Sequence, residues 1–246
     1  MNFFPFKTKI ILLKKQNIIS VAFCALLFGC AFSGIKNNLN TALSSETFAL
    51  PTSNKIIVID AGHGGIDAGA SAGKLKEKDL NLDIAKKLQA LIEQSGGYVV
   101  LTRSEDVSTE DKNRSKNITQ KKSDLTQRKK LAETNKADMF ISIHMNKFSS
   151  DKYKGAQVFY NKNSKESQIL AECVQNSLKN NLDKTNNRLA KGENSIFVLK
   201  ENKSTAILVE CGFLSNPDEA NLLADENYRM KIAQAIFFGI CDYAKN

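Results

Sequence analysis

Lys-Ile-Ile-Val-Ile-Asp-Ala-Gly (residues 55–62) is an almost unbroken apolar run that ends on a glycine directly before His63. A strand with one wet face alternates apolar and polar residues, whereas a continuous apolar run marks a strand covered on both faces, as in a parallel sheet. The pattern recurs in Met-Phe-Ile-Ser-Ile-His-Met-Asn (139–146), which carries His144, and in Ala-Ile-Leu-Val-Glu (206–210), which stops on Glu210. Ligands in α/β proteins gather beyond the carboxyl ends of such strands. The 246-residue chain has only two histidines, and both stand at these ends. Either one alone would read as an ordinary polar loop residue. Together they point to a metal or substrate site, because imidazole is the commonest zinc ligand and the usual proton carrier near neutral pH.

Around these runs, helices and strands alternate. Strand 55–61 is followed by a helix over 77–93, whose Leu80, Ile84, Leu88 and Leu91 recur at helical spacing. Further strands are expected at 98–102, 139–144, 156–160, 195–199 and 205–210. Helices are expected at 125–136, 165–180 and 227–244. The order predicts a single α/β domain from Lys55 onward, a twisted and mostly parallel six-stranded sheet with helices on both faces. About 190 residues suit one core.

The N-terminus reads differently. Lys7, Lys9, Lys14 and Lys15 precede an uncharged apolar stretch, Gln16 to Ile35, and no acidic residue appears before Glu46. That is the form of an export signal or a retained membrane anchor, with the remainder of the chain outside the cytoplasm. Leu27-Phe28-Gly29-Cys30 loosely resembles a lipoprotein cleavage box, although Phe28 is bulky for it. Residues 1–36 are therefore set apart as a signal or anchor and 37–54 as a polar tether, leaving 55–246 as the catalytic domain.

The formal charge of +9 is inflated by this segment and falls to +4 without residues 1–36. A mildly basic surface suits an anionic polymer, but lysine greatly outnumbers arginine, the residue that reads phosphates and bases bidentately. Nucleic acid is not an expected partner. Outside the apolar segment, Cys173, Cys211 and Cys241 offer neither a disulfide framework nor a zinc cluster, and Cys211 reads as a packed small hydrophobe.

Glu210 closes a buried run, where an unpaired carboxylate is costly. A helix cap or salt bridge would explain it; so would a general acid/base tuned by partial burial. Two histidines leave a zinc site incomplete, since catalytic sites use three protein ligands. Asp60, Asp67, Glu77 and Asp79 are all close enough to His63 in sequence to supply the third. Spacing does not choose among them.

Four segments in order do choose: Val58 to Ala70, Glu77-Lys-Asp-Leu-Asn-Leu82, Ile141-Ser-Ile-His-Met-Asn146, and Leu208-Val-Glu-Cys-Gly-Phe-Leu-Ser-Asn-Pro217. Together they resemble the zinc-dependent N-acetylmuramoyl-L-alanine amidases over essentially all of 55–246. The resemblance implies His63, Glu77 and His144 as zinc ligands and Glu210 as the catalytic carboxylate. It implies cleavage of the amide between the muramic acid lactyl group and the first L-alanine of a peptidoglycan stem. Arg103, Arg128 and Asn146 are then expected to bind substrate, the two arginines through stem-peptide carboxylates. Segment 147–155 is too short for a long inhibitory helix, and no wall-binding repeat is present. A bare, anchored domain looks most like the sporulation and germination amidases of spore cortex, for which an activator protein is a possible partner. A zinc peptidase cutting within the stem would use the same ligands, and a non-catalytic wall-binding module would be expected to lack one of the four residues.

Overall fold

The computed structural model describes residues 51–200 and 202–245, so the signal or anchor segment, most of the tether, Cys24 and Cys30 lie outside the described residues. The last residues of the expected tether are not loose. Thr52 is buried and its hydroxyl donates to the Ser95 carbonyl at 3.1 Å, while the Asn54 amide donates to Gly96.

The strands are β1 (Ile56–Ala61), β2 (Ser71–Ala72), β3 (Leu75–Lys76), β4 (Tyr98–Leu101), β5 (Met139–Asn146), β6 (Gln157–Tyr160), β7 (Lys191–Gly192) and β8 (Thr205–Phe213). The helices are α1 (Glu77–Gln94), α2 (Gln120–Thr134), α3 (Lys165–Asn181), α4 (Pro217–Ala224) and α5 (Glu226–Ala244). Six strands form one sheet in the order β4-β1-β5-β8-β6-β7, and β2 and β3 make a separate small hairpin. The pairs β4–β1, β1–β5 and β5–β8 are parallel; β6 runs antiparallel to β8. The expected α/β domain with a mostly parallel six-stranded sheet is what the chain forms.

Alternate side chains of each central strand face opposite sides. Ile57, Ile59, Ile141, Ile143, Ile207 and Val209 meet α1, α3 and α5 in the larger core. On the other face Val58, Phe140, Ala206 and Leu208 meet Ala132 of α2 and Val198 and Leu199. Helices thus cover both faces, and the apolar runs are continuous for that reason.

Three expectations change. Residues 195–199 are not a strand: Leu199 and Lys200 donate to the Ile196 carbonyl in a turn, and the sixth strand is Lys191–Gly192. Val198 and Leu199 are apolar because they cover the smaller core, not because they pair. Helix α2 begins five residues before the expected 125, capped by Thr119, whose hydroxyl accepts from the Lys122 amide; its first turn is too polar to show a periodic face. Helix α4 was not expected, although Asn216-Pro217-Asp218-Glu219 is a start signal, with the Asn216 side chain accepting from residues 218 and 219 and Pro217 in the first turn.

Among the described residues, no helix is long and apolar enough to cross a membrane.

Candidate functional site

The three central strands deliver their ends to one place. His144 on β5 stands opposite Glu210 on β8 in register, and Ala61 at the end of β1 stands opposite Ile143. His63 lies two residues past β1 in a turn where it adopts φ 61°, the left-handed region that non-glycine residues seldom occupy. Such strain persists only where surroundings enforce it. Gly62 before it is required by space, since a Cβ there would fall 2.3 Å from ring atoms of His144.

Glu77 comes from elsewhere, the first residue of α1, and is 3% exposed. Its Oε1 lies 3.1 Å from His63 Nε2 and 3.0 Å from His144 Nδ1, and accepts from the Met145 amide. Its Oε2 accepts from the Ala70 amide at 2.7 Å. Gly69 leaves room for that oxygen; a Cβ there would lie 2.5 Å from it. Burial alone would raise the Glu77 pKa, but hydrogen bonds and charge from the two histidines outweigh it and hold the carboxyl far below the usual carboxylate range. His63 is raised for the reciprocal reason: burial disfavours its charge, and Glu77 and Asp67 more than compensate. Asp67 Oδ2 is 2.9 Å from His63 Nδ1, but without the alignment a hydrogen bond needs.

One donor atom from each of His63, Glu77 and His144 thus falls within a single cluster able to hold a metal ion, all within 4.8 Å of one another. The donor set suits zinc: two imidazoles and a carboxylate. Bonds of about 2.0 Å to a tetrahedral ion place neighbouring ligand atoms about 3.3 Å apart, close to the observed 3.0 and 3.1 Å. Of the other candidate carboxylates, Asp79 is exposed and Asp60 is turned into the interior. Asp67 faces the outer nitrogen of His63, where a carboxylate orients a ligand imidazole.

Glu210 is half-buried, and its Oε2 is enclosed with no hydrogen-bond partner. Desolvation pushes its pKa up to about 7, with the Glu77 charge adding to the rise and the two histidines opposing it. An orphaned carboxylate oxygen beside the cluster is what a proton carrier needs. Beside it opens a cleft of about 650 Å³, walled by His63, Asp67, His144, Gln120, Ile196 and Phe197 among others. The 196–198 wall is not legible in the sequence, because its apolar letters read equally well as a strand.

Arg103 and Arg128, expected to bind substrate, are both buried and direct their donors to protein groups. Arg103 is 3% exposed and donates to the carbonyls of Ala61, Gly62, Lys78 and Glu105. Arg128 stands in the cleft wall yet is 1% exposed, and it donates to Asp60 and Asp124 and to the carbonyls of Ala61 and His63. Both guanidinium groups clamp the backbone of residues 61–63 from below and so hold His63 in its strained turn. Asp60 beneath them has its carboxyl lowered: burial opposes this, but Arg128 and the Ser142 hydroxyl prevail. Asn146 ends β5 two residues past His144 and is half-buried.

Known relatives identify the family. Residues 57–242 match the family model described as N-acetylmuramoyl-L-alanine amidase. The germination-specific N-acetylmuramoyl-L-alanine amidase of Bacillus subtilis is 39% identical over 200 residues, covering 81% of this chain and 84% of the relative. Among solved structures, the CwlD amidase of Clostridioides difficile, in complex with the GerS lipoprotein, is 47% identical with a TM-score of 0.75 over 78% of this chain and 99% of that one. The amidase AmiC2 of Nostoc punctiforme is 33% identical with a TM-score of 0.68, over 78% of this chain and 98% of that one. With its fold, its strand-end cluster and a family match spanning most of its length, the chain belongs to the N-acetylmuramoyl-L-alanine amidase family.

Proposed function

We propose that the protein is a zinc-dependent peptidoglycan amidase that cuts between the muramic acid lactyl group and the L-alanine of the stem peptide. The observation that carries this is the convergence of His63, Glu77 and His144 on one point, with the unpartnered Glu210 oxygen beside it. His63, Glu77 and His144 would hold the zinc. When bound, the ion supplies a Lewis acid for the amide carbonyl and acidifies the attacking water.

The chain's own residues do the rest. Glu210 accepts a proton from water at a carboxylate oxygen and returns it to the departing amine; a pKa near 7 lets it do both at neutral pH. Asp67, 2.9 Å from the outer nitrogen of His63, favours that ring through its charge. Asn146, on the strand of His144, is assigned to substrate contact. Arg103 and Arg128 keep the His63 turn in place.

Residues 1–36 serve as signal or membrane anchor, 37–54 as a connecting segment and 55–246 as the catalytic domain, acting outside the cytoplasm where peptidoglycan lies. The likeness to a germination-specific amidase and to an amidase held by a lipoprotein supports a cortex substrate and an activator protein of that kind.

The position of the cut tests the reading. Incubated with purified cortex peptidoglycan and zinc, with activator present if required, the protein is expected to release stem peptides beginning with free L-alanine and to leave sugars with free lactyl carboxyl groups. Mass spectrometry that finds only fragments cut within the stem would instead identify a zinc peptidase.

A further inference from the structure

An aromatic platform that shares no residue with the cleft lies past the ends of β5 and β8. Phe213 closes β8 three residues past Glu210 and is fully buried; Phe148 follows His144 by four residues and is 47% exposed, and Tyr153 is 49% exposed. The Phe148 ring meets those of Tyr153 and Phe213 edge-on, at centroid distances of 5.0 and 5.2 Å, and Arg188 lies 4.7 Å over Phe213. Arg188 also donates to Gln157, the residue opposite Glu210 on β6. Four residues of chain span at most roughly 14 Å, so the platform begins close to where the scissile amide must sit.

The platform is held rigid. The Phe148 amide donates to Ser215 and the Asn216 side chain donates to the Asp151 carbonyl. Glu219 accepts from the amides of both Gly155 and Phe213, tying the 147–155 loop to the end of β8. Beyond Tyr153 the surface continues into a shallow polar groove of about 370 Å³ that includes Lys152, Thr185, Asn187 and Arg188.

We infer that this platform binds the sugar strand of peptidoglycan, and that the separate cleft beside His63 takes the stem peptide; the inference rests on the amidase reading above. The reacting amide joins a polysaccharide to a peptide, so an enzyme centred on it has two unlike neighbours to seat. The walled cleft beside His63 sets Lys121, Asp124 and Gln120 among apolar walls that include Ile66, Ile196 and Phe197, which suit a peptide bearing carboxylates, amides and methyl groups. Exposed aromatic rings offer negative faces to the polarised C–H face of a pyranose. The groove beyond them offers donors and acceptors to its hydroxyl rim.

The test uses the full-length chain with Phe148→Ala, Tyr153→Ala and the double substitution, on two substrates: polymeric peptidoglycan and a single muramoyl sugar bearing the stem peptide. On the polymer, kcat/KM is expected to fall about tenfold in the double variant, mainly through KM, as expected for losing about 1.4 kcal/mol of ring contact. The single-sugar substrate, which reaches only the near edge of the platform, should lose much less than the polymer. Zinc content should be unchanged, the unfolding midpoint should fall by no more than a few degrees for the lost ring contacts, and Phe148→Tyr should retain wild-type behaviour. Peptide-free glycan strands should bind the Glu210→Gln chain by calorimetry and lose that binding when Phe148 and Tyr153 are replaced. Equal losses on both substrates, or no loss on the polymer, would overturn the assignment. So would a loss seen only when an activator protein is present, which would mark the face as a protein-docking surface. Failure of the wild type to cleave either substrate would count against the amidase reading, while glycan-strand binding would still decide the platform.

Discussion

Glu210→Gln is expected to lower turnover on peptidoglycan by about 10²–10⁴ while leaving zinc content and fold intact, since that is the usual effect of removing a positioned proton carrier. The substitution keeps size and shape but removes the capacity to take up a proton. Its structural cost should be small because Oε2 of Glu210 has no hydrogen-bond partner to lose. Replacing a carboxylate disfavoured by desolvation should also leave the thermal midpoint equal to or above that of the wild type. Kinetics, metal analysis and thermal unfolding on the same preparation check all three. Near-normal turnover, or loss of zinc, would remove Glu210 from its assigned role.

Arg128→Met is expected to be the most damaging substitution outside the donor cluster, although Arg128 touches no proposed zinc ligand's side chain. Arg128 and Asp60 are 2.7 Å apart with side chains each 2% exposed. Removing one partner of a buried pair strands the other charge and typically costs about 3–5 kcal/mol, a fall in Tm on the order of 10 °C for a domain of this size. The Arg128 bond to the His63 carbonyl goes with it, so the left-handed turn loses a support and zinc affinity should drop. A double substitution, Asp60→Asn with Arg128→Met, should recover part of the stability, because the fully buried Asp60 carboxylate is no longer stranded, while Asp124 keeps its bonds to Ser108 and Thr109. The pH dependence has a definite sign. Asp60 is held below its ordinary pKa, so its contribution is complete above the unfolded-state value of about 3.9 and is lost as pH falls through the folded value. The gap between wild type and Arg128→Met should therefore be widest at neutral pH and close on acidification. Thermal unfolding at several pH values checks this; a loss below about 1 kcal/mol would show that the clamp is not needed.

The parts of the site visible in the sequence were those carried by strands. His63, His144 and Glu210 each follow or end an apolar run, and parallel strands with a common direction bring such ends together. Glu77 was different, since four carboxylates lie near His63 in sequence and spacing offers no preference; only the four-motif resemblance singled it out. The surroundings of the arginines are not legible in the sequence, because it shows a charge but not its direction. Nothing local reveals that Arg103 and Arg128 point inward beneath residues 61–63 to satisfy backbone carbonyls. Residues 195–199 misled for a similar reason, as burial against the sheet and membership of it produce the same apolar letters. The aromatic platform joins residues 148 and 153 of one loop to residue 213 at the end of β8, which no periodicity could have connected.

The central claim is that His63, Glu77 and His144 form a zinc centre, and metal content tests it most directly. The wild-type protein, purified without added chelator, is expected to carry about one zinc per chain by elemental mass spectrometry. His63→Ala, Glu77→Ala and His144→Ala should each lower that occupancy sharply, while Asp79→Ala, on the exposed side of the same helix turn, leaves it unchanged. Full zinc retention in all three variants would contradict the account, whatever happened to activity.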